Sequence, residues 1–246
     1  MPVRRSLLAA PVLEVAPKLL GMVLRSTTDD GTVAVRLTEV EAYDGPSDPG
    51  SHAYKGQTAR NAVMFGPPGF LYVYFTYGMH FCMNISAGPD GRPSAVLLRA
   101  GEIVEGVDLA RARRGAPDAQ QVKFNQSNGA KPEPSADGKP GVRPAASAGI
   151  LPGPIPKRPN GNPDRDLARG PARMCVALGI SRDDNGADLL AKDSHIQLLP
   201  GPGFDGEPST GPRVGLREAA DWPWRFWIPG DPTVSPYRPH VPKRRA

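Results

Sequence analysis

Residues 32–43 of this 246-residue chain read TVAVRLTEVEAY, and this stretch decides the fold class. Apolar and polar residues alternate through it, which is the pattern of a β-strand with one face toward a core. Alternate positions place Val33, Val35, Leu37, Glu39 and Glu41 on a single inward face. Burying a carboxylate is costly unless it has partners. The pattern therefore either marks a functional acid in a cleft, or shows only that the strand ends with both acids in solvent.

Further strand patterns follow on both sides of a glycine-rich turn. Residues 70–76, 80–86 and 95–100 are rich in aromatic and β-branched residues, and short connections between them favour an antiparallel sheet. We expect a short N-terminal helix that ends near Gly21, a helix over 102–114, and another from Pro171 to Gly179. Short strands are expected at 195–199 and 224–228. The sequence thus predicts an α+β fold, a single domain with a curved antiparallel β-sheet core and surrounding helices.

Composition changes sharply between residues 115 and 166. Pro, Gly, Ala, Ser and Lys dominate this segment, which has too few apolar residues to offset the entropy of ordering it. We interpret it as a disordered insertion within one domain that spans residues 1–246. The basic tail, residues 240–246, is expected to fray.

The charge and cysteine content bound the partners and the compartment. A net charge of +5 and a pI of about 9.4 suit a polyanionic partner without requiring one. Two cysteines cannot form a disulfide framework, so we expect Cys82 and Cys175 to be buried thiols in a reducing compartment. The N-terminal apolar run is too short and too polar for a signal peptide, and no run approaches the ~20 apolar residues of a membrane span. These features predict a cytoplasmic protein, associated with the nucleoid if the source is prokaryotic.

The sequence lacks the motifs that are typical of several classes of functional site. It lacks a Walker motif, a strand-linked G-x-G-x-x-G and a G-x-S-x-G elbow. Its four histidines and two cysteines do not have the spacing of zinc ligands. We therefore expect no metal site and no cofactor, and the candidates that remain are carboxylates and aromatic residues.

The aromatic residues are concentrated in one short region. Tyr72, Tyr74, Phe75, Tyr77 and Phe81 fall within ten positions of a chain that is only 7% aromatic. The phenylalanines suit a core. Tyr77 differs, because it occupies the tight turn 77–79, where a large ring is poorly placed for a core but well placed to wedge between stacked bases.

A series of short blocks in a fixed order runs along the chain. The blocks are Glu41-Ala42-Tyr43, His52, Arg60-Asn61, Met64-Phe65, residues 71–74, 77–79, 82–86, 96–100, 168–171, 178–180, 212–215 and 223–226. In this order they resemble the alkyladenine (3-methyladenine) DNA glycosylases of the mammalian type. The resemblance spans residues 19–235 apart from the insertion, and many blocks in the same order are far more specific than any one of them.

The resemblance implies a monofunctional glycosylase that repairs DNA by base excision. Such an enzyme flips a damaged purine out of double-stranded DNA and hydrolyses its N-glycosidic bond, leaving an abasic site. The implied substrates are alkylated or deaminated purines of the 3-methyladenine, 7-methylguanine, hypoxanthine and ethenoadenine class. We expect a monomer with no membrane partner.

The same resemblance assigns roles to the reacting groups. Glu41 matches the carboxylate that activates water and stabilises positive charge on the sugar. Arg99 matches the arginine that holds this water and the flipped nucleotide's phosphate, and the backbone carbonyl of Val214 matches a further water ligand.

The pocket and the DNA contacts are assigned in the same way. Tyr43, His52 and Tyr74 match the rings that sandwich the flipped base, and Asn84 matches the residue that crowds out the exocyclic amino group of guanine. Tyr77 matches the aromatic residue that fills the gap in the duplex, with Met79 beside it. His80 stands where many relatives have an aromatic residue, so we assign it no role.

Two other functions remain open from the residues alone. A non-catalytic binder of damaged nucleic acid would use the same aromatic residues but would leave Glu41 without a role. A small-sugar glycosidase would use Glu39 and Glu41 as a catalytic pair, whereas the glycosylase interpretation makes Glu39 a support within a salt-bridge or hydrogen-bond network. Strand cleavage by Schiff-base chemistry would need a lysine, and Lys55 is the only candidate near His52.

Overall fold

The computed structural model describes residues 2–76, 78–89, 91–115 and 163–239. The α-helices are α1 (Arg5–Leu8), α2 (Val12–Lys18), α3 (Val107–Gly115) and α4 (Pro171–Leu178). The strands are β1 (Val23–Thr28), β2 (Gly31–Tyr43), β3 (Leu71–Thr76), β4 (His80–Ala87), β5 (Ser94–Glu105), β6 (Ile196–Leu199), β7 (Ser209–Gly211) and β8 (Arg225–Trp227). Single 3-10 turns cover Gly45–Ser47, Ala62–Phe65, Pro163–Asp166 and Arg182–Asp184.

All eight strands join one curved antiparallel sheet, as the sequence predicted. The order across the sheet is β3-β4-β5-β2-β1-β6, and β8 pairs with both β2 and β7. The long strand β2 lies at the centre, where it is hydrogen-bonded to β1, β5 and β8. The predicted α+β class with a curved antiparallel sheet is confirmed.

A β-bulge in β2 changes which side chains face the core. Leu37 pairs with Gly101 and Glu39 with the adjacent Ala100, so Thr38 is an extra residue without a partner on β5. One extra residue moves every following side chain to the other face of a strand.

The apolar core follows this change of face. The core contains Val33, Val35 and Leu37 before the bulge but Val40 and Ala42 after it. The predicted common face for the aliphatic residues and both carboxylates is therefore wrong, because the bulge turns Glu39 and Glu41 to the opposite face. The alternative of solvent-exposed acids is also wrong, since both glutamates are 0% exposed.

The helix predicted over 102–114 begins later than expected. Strand β5 continues to Glu105, because the long partner strand β2 supplies pairs for Glu102, Ile103 and Glu105. Gly106 then adopts a positive φ of 73°, and α3 begins at Val107.

Helix α4 has the ends that the sequence predicted. It begins at Pro171 and is closed by Gly179, whose φ of 72° is in the left-handed region that glycine tolerates. Strands β1 and β7 have no counterpart among the strands predicted from the sequence.

The predicted insertion and tail fall largely outside the described residues. Of the segment 115–166, the described part is Gly115 at the end of α3 and the 3-10 turn Pro163–Asp166. In that turn, Asp164 accepts two hydrogen bonds from Arg111 of α3. The tail 240–246 is not among the described residues.

The helices cover one face of the sheet. Helix α2 packs on β2 and α4 packs on β4 and β5, and together they bury the main apolar core. None of the helices within the described ranges has the length and hydropathy required to cross a bilayer. The opposite face of the sheet is left to carry the polar side chains.

Candidate active site

On this opposite face of the sheet, five strands each contribute one side chain to a continuous row. Tyr72 of β3 pairs with Asn84 of β4, Asn84 with Leu97 of β5, Leu97 with Glu41 of β2, and Glu41 with Arg225 of β8. Directly paired residues of antiparallel strands point to the same face. The sheet register therefore places residues from distant parts of the chain side by side.

A cavity of about 340 Å³ lies over this row. Its size falls within the ~300–1,000 Å³ of pockets that hold small molecules. Six of the predicted site residues line it: Tyr43, His52, Tyr74, Asn84, Arg99 and Val214. The remaining walls come from Gly50, Met64, Tyr72, Thr76, Cys82, Ala95, Leu97, Pro171, Gly215 and Leu216.

Glu41 lies against three of the residues that line the cavity. Its Oε1 accepts a 2.7 Å hydrogen bond from the amide N–H of Val214 and lies 3.3 Å from Nη1 of Arg99. Its Oε2 accepts a 2.8 Å hydrogen bond from the hydroxyl of Tyr43. Two hydrogen-bond donors and one guanidinium therefore face this buried carboxylate.

The Tyr43 hydroxyl remains a donor over the whole physiological pH range. Burial and the charge of Glu41 raise the pKa of Tyr43 well above its ordinary value of 10. The phenol therefore stays protonated and donates to the carboxylate, while its ring lines the cavity.

Glu39 is held by a separate buried network. Its Oε1 accepts hydrogen bonds from Nε of Arg99 (2.8 Å) and Nε of Arg225 (2.7 Å), and from the Ser235 hydroxyl (2.9 Å). Its Oε2 accepts the amide N–H of Ser235 at 2.6 Å. This is the kind of supporting network that the sequence predicted for Glu39.

Arg99 connects the two carboxylates. It bonds to Glu39 through Nε and faces Glu41 through Nη1. Burial alone lowers the pKa of Arg99, but the charges of Glu41 and Glu39 outweigh burial and raise it above its ordinary range. The guanidinium is therefore permanently charged where it lines the cavity.

His52 and two tyrosines form an aromatic group at the other side of the cavity. The ring centroids of His52 and Tyr74 are 4.5 Å apart in an edge-to-face arrangement, and Nδ1 of His52 lies 3.0 Å from the Tyr72 hydroxyl. Although His52 as a residue is exposed, loss of water around its imidazole and the nearby charge of Arg60 lower its pKa to about 4. The imidazole is thus neutral at pH 7.

Asn84 and Cys82 occupy neighbouring positions on β4. Asn84 is 4% exposed, and its amide donates a 3.2 Å hydrogen bond to the Tyr72 carbonyl, which fixes its orientation. Both predicted buried cysteines are buried, but Cys82 lines the cavity rather than the core. Burial raises the pKa of Cys82 to about 11, so its thiol stays protonated beside Tyr74.

The predicted roles of Tyr77 and of the Val214 carbonyl have no counterpart among the contacts that the structure describes. Tyr77 lies outside the described residues, and Met79, in the turn between β3 and β4, is 52% exposed. Val214 lines the cavity, but the contact that it makes with Glu41 uses its amide nitrogen, whereas the sequence assigned a role to its carbonyl.

A fully buried ion pair, which was not predicted from the sequence, lies behind the cavity. Arg213 and Asp48 are 1% and 0% exposed, and two hydrogen bonds join the guanidinium to the carboxylate. The only signal for Arg213 was its place in the block 212–215, and Asp48 lies in a Gly- and Pro-rich stretch that looks like an ordinary turn.

Comparisons with known proteins agree with this geometry. The model of the family described as Methylpurine-DNA glycosylase (MPG) matches residues 6–135 and 142–232. A protein of Streptomyces avermitilis, provisionally named 3-methyladenine DNA glycosylase, is 49% identical over 247 residues, which cover 99% of this chain and 95% of that protein.

Two further bacterial relatives carry the same provisional name. The protein of Leifsonia xyli subsp. xyli is 46% identical over 96% of this chain and 92% of its own length. The protein of Nocardia farcinica is 44% identical over 91% of this chain and 85% of its own length. With a family match over most of its length and relatives at this level of identity, the chain belongs to the methylpurine-DNA glycosylase family of hydrolytic base-excision repair enzymes.

Proposed function

We propose that this protein excises alkylated and deaminated purines from duplex DNA by hydrolysing the N-glycosidic bond. The proposed substrates are the 3-methyladenine, 7-methylguanine, hypoxanthine and ethenoadenine class, as in the mammalian-type enzymes that the sequence resembles. One observation carries this proposal: a buried carboxylate, Glu41, lies directly against Tyr43, Arg99 and Val214, which line a cavity with aromatic walls.

The proposed chemistry needs one water and one base. Glu41 takes a proton from the water while the water oxygen bonds to C1′. The C1′–N bond breaks, and its electron pair leaves with the base. The sugar passes through an oxocarbenium-like state, and the nearby anion stabilises that positive charge in a site of low dielectric. Cationic bases such as 3-methyladenine and 7-methylguanine depart as neutral molecules and need no acid, whereas the uncharged hypoxanthine and ethenoadenine have to be protonated as they leave.

The walls suit an electron-poor purine. Tyr43 and Tyr74 present rings to the cavity, and such faces attract cationic or electron-poor bases. His52 is neutral at pH 7, so it adds no positive charge that would repel a cationic base. Asn84, fixed by Tyr72, is proposed to exclude the exocyclic amino group of normal guanine.

Insertion into the duplex is assigned to the turn between β3 and β4. We propose that Tyr77, aided by the exposed Met79 beside it, fills the gap left by the flipped nucleotide. The mildly basic chain then binds the phosphate backbone, so affinity for duplex DNA falls steeply as salt increases. We further propose that the chain acts as a monomeric single domain in the cytoplasm.

The contacts of Glu39 argue against a two-carboxylate sugar hydrolase. Of its partners Arg99, Arg225 and Ser235, only Arg99 lines the cavity, whereas Glu41 contacts three residues that line it. Among the described residues that line the cavity there is no lysine, which favours hydrolysis over Schiff-base cleavage.

Base release from defined duplexes tests the proposal. Purified protein is incubated with duplexes that carry one hypoxanthine, ethenoadenine or 7-methylguanine, and with an undamaged duplex as control. We expect abasic sites from the damaged duplexes only, detected as strand breaks after hot alkali, and no covalent adduct with borohydride. If no damaged duplex yields abasic sites, the proposed function is wrong.

A further inference from the structure

Arg213 contacts strand β2 between Glu41, the proposed base, and Tyr43, which lines the cavity. Its Nη1 donates a 3.0 Å hydrogen bond to the carbonyl of Ala42, the residue that separates Glu41 from Tyr43. Its guanidinium carbon lies 4.6 Å from the centroid of the Tyr43 ring. Because Arg213 is 1% exposed while Tyr43 lines the cavity, the guanidinium supports this ring from behind.

The residue after Arg213 completes the contact with Glu41. The amide N–H of Val214 donates to Glu41. Residues 213 and 214 therefore hold the segment 41–43 at three points, which are the Glu41 carboxylate, the Ala42 carbonyl and the Tyr43 ring. Displacement of Arg213 would therefore move two groups at once: the wall formed by Tyr43 and the N–H that faces the carboxylate.

Asp48 fixes Arg213 in turn. Its two oxygens bind Nη1 and Nη2 of Arg213, and it also accepts the amide N–H of Gly50, which lines the cavity. A buried ion pair is weak evidence for stability, because the cost of removing two charges from water offsets their attraction. The position that this pair imposes on its neighbours is a better explanation for its presence.

We propose that Arg213 and Asp48 are positioning residues that set the relative placement of Glu41, Tyr43 and Val214. Neither residue lines the cavity, so neither is proposed to touch substrate. The proposal rests on the glycosylase function above, because it concerns the rate of base release.

Gly50 offers a mild test that leaves both charges in place. A methyl group at Gly50 would stand 2.8 Å from Cδ1 of Leu216, 2.9 Å from Nη2 of Arg213 and 3.2 Å from Oδ1 of Asp48, so it crowds the buried pair as well as Leu216. Gly66→Ala is the matched control, because the nearest atom to a methyl group there would be the Val63 carbonyl oxygen at an ordinary 3.6 Å. Asp48→Asn is the second variant, since it removes the charge of the pair without adding volume to the cavity wall.

The readout is the single-turnover rate constant for release of ethenoadenine at saturating enzyme. This constant is independent of the fraction of protein that is folded, so a residue that acts only through stability would leave it unchanged. Misplacement by about 1 Å can cost ~100-fold in rate, and we expect losses of roughly 10- to 100-fold for Gly50→Ala and Asp48→Asn. Affinity for undamaged duplex, which depends on phosphate contacts, should stay close to the wild-type value.

The outcomes separate the two proposals. Wild-type release with rate constants for Gly50→Ala and Asp48→Asn close to that of Gly66→Ala would overturn the positioning role and leave the proposed function intact. A loss in Gly50→Ala alone would also overturn it, because the added methyl group would then act only by obstructing the cavity. The absence of release by the wild type would overturn both.

Discussion

The hydroxyl of Tyr43 donates a 2.8 Å hydrogen bond to Oε2 of Glu41, two residues earlier on the same strand. Alternate residues of a strand share a face, so the bond follows from their spacing once the bulge at Thr38 has turned that face toward the cavity. One side chain thereby serves as a wall of the cavity and as a partner of the proposed base. The two roles can be separated by experiment.

Replacement of Tyr43 by Phe removes the hydroxyl and keeps the ring. A hydrogen bond to a charged group contributes about 1.5–3 kcal/mol, so we expect single-turnover base release to slow by roughly tenfold or more. Affinity for a lesion-containing duplex should change little, because the stacking surface remains. Tyr54→Phe, at a residue that is 46% exposed, is the control, and equal rates for the two variants would show that the hydroxyl has no role.

Replacement of Glu39 by Gln should affect folding more than any surface glutamate does. The change removes the negative charge that faces Arg99 and Arg225 in a buried site, and breaking a buried ion pair typically costs about 3–5 kcal/mol. The free energy of unfolding in urea measures this loss.

Glu102→Gln is the matched control for that measurement. Glu102 pairs with Arg36 at the surface, where its side chain is 51% exposed, and such a pair contributes about 0–1 kcal/mol. Equal losses for the two variants would mean that the network around Glu39 does not stabilise the fold.

The protonation of His52 gives a prediction about pH. Its pKa is about 4 in the folded protein against an ordinary 6.5, so the unfolded chain takes up this proton at a higher pH than the folded chain does. The contribution of His52 to the free energy of unfolding therefore falls as the pH drops from 6.5 to 4. An NMR titration, with His52→Gln for assignment, should give a pKa well below 6.5.

Arg60→Gln tests the cause of that shift. The charge of Arg60 is the second contribution after loss of water, so its removal should raise the pKa of His52. A His52 pKa near 6.5 in the wild type, or one that Arg60→Gln leaves unchanged, would contradict the account.

The elements with strong local signals could be predicted from sequence. The alternation in β2, the aromatic residues of β3, and the Pro171 and Gly179 ends of α4 all act within a few residues of the chain. The pocket residues became predictable through the family resemblance, which preserves the order of the blocks over most of the chain. Their roles in catalysis stay predictions until they are tested.

The features that sequence analysis missed depend on long-range pairing. The bulge at Thr38 is a shift in the pairing register of β2 and β5, and no residue within β2 indicates where this shift occurs. Asp48 and Arg213 are 165 residues apart, and neither stands out from its own surroundings. The extension of β5 to Glu105 likewise depends on a partner strand that is distant in sequence.

The most direct test of the central claim is base release by Glu41→Gln. The substrate is a duplex with a single ethenoadenine, and binding and single-turnover release are measured on the same preparation. The amide keeps the shape of the side chain but can neither accept the proton of water nor stabilise a cationic sugar. The account predicts that binding of the damaged duplex is retained and base release is lost, whereas release at the wild-type rate would contradict it.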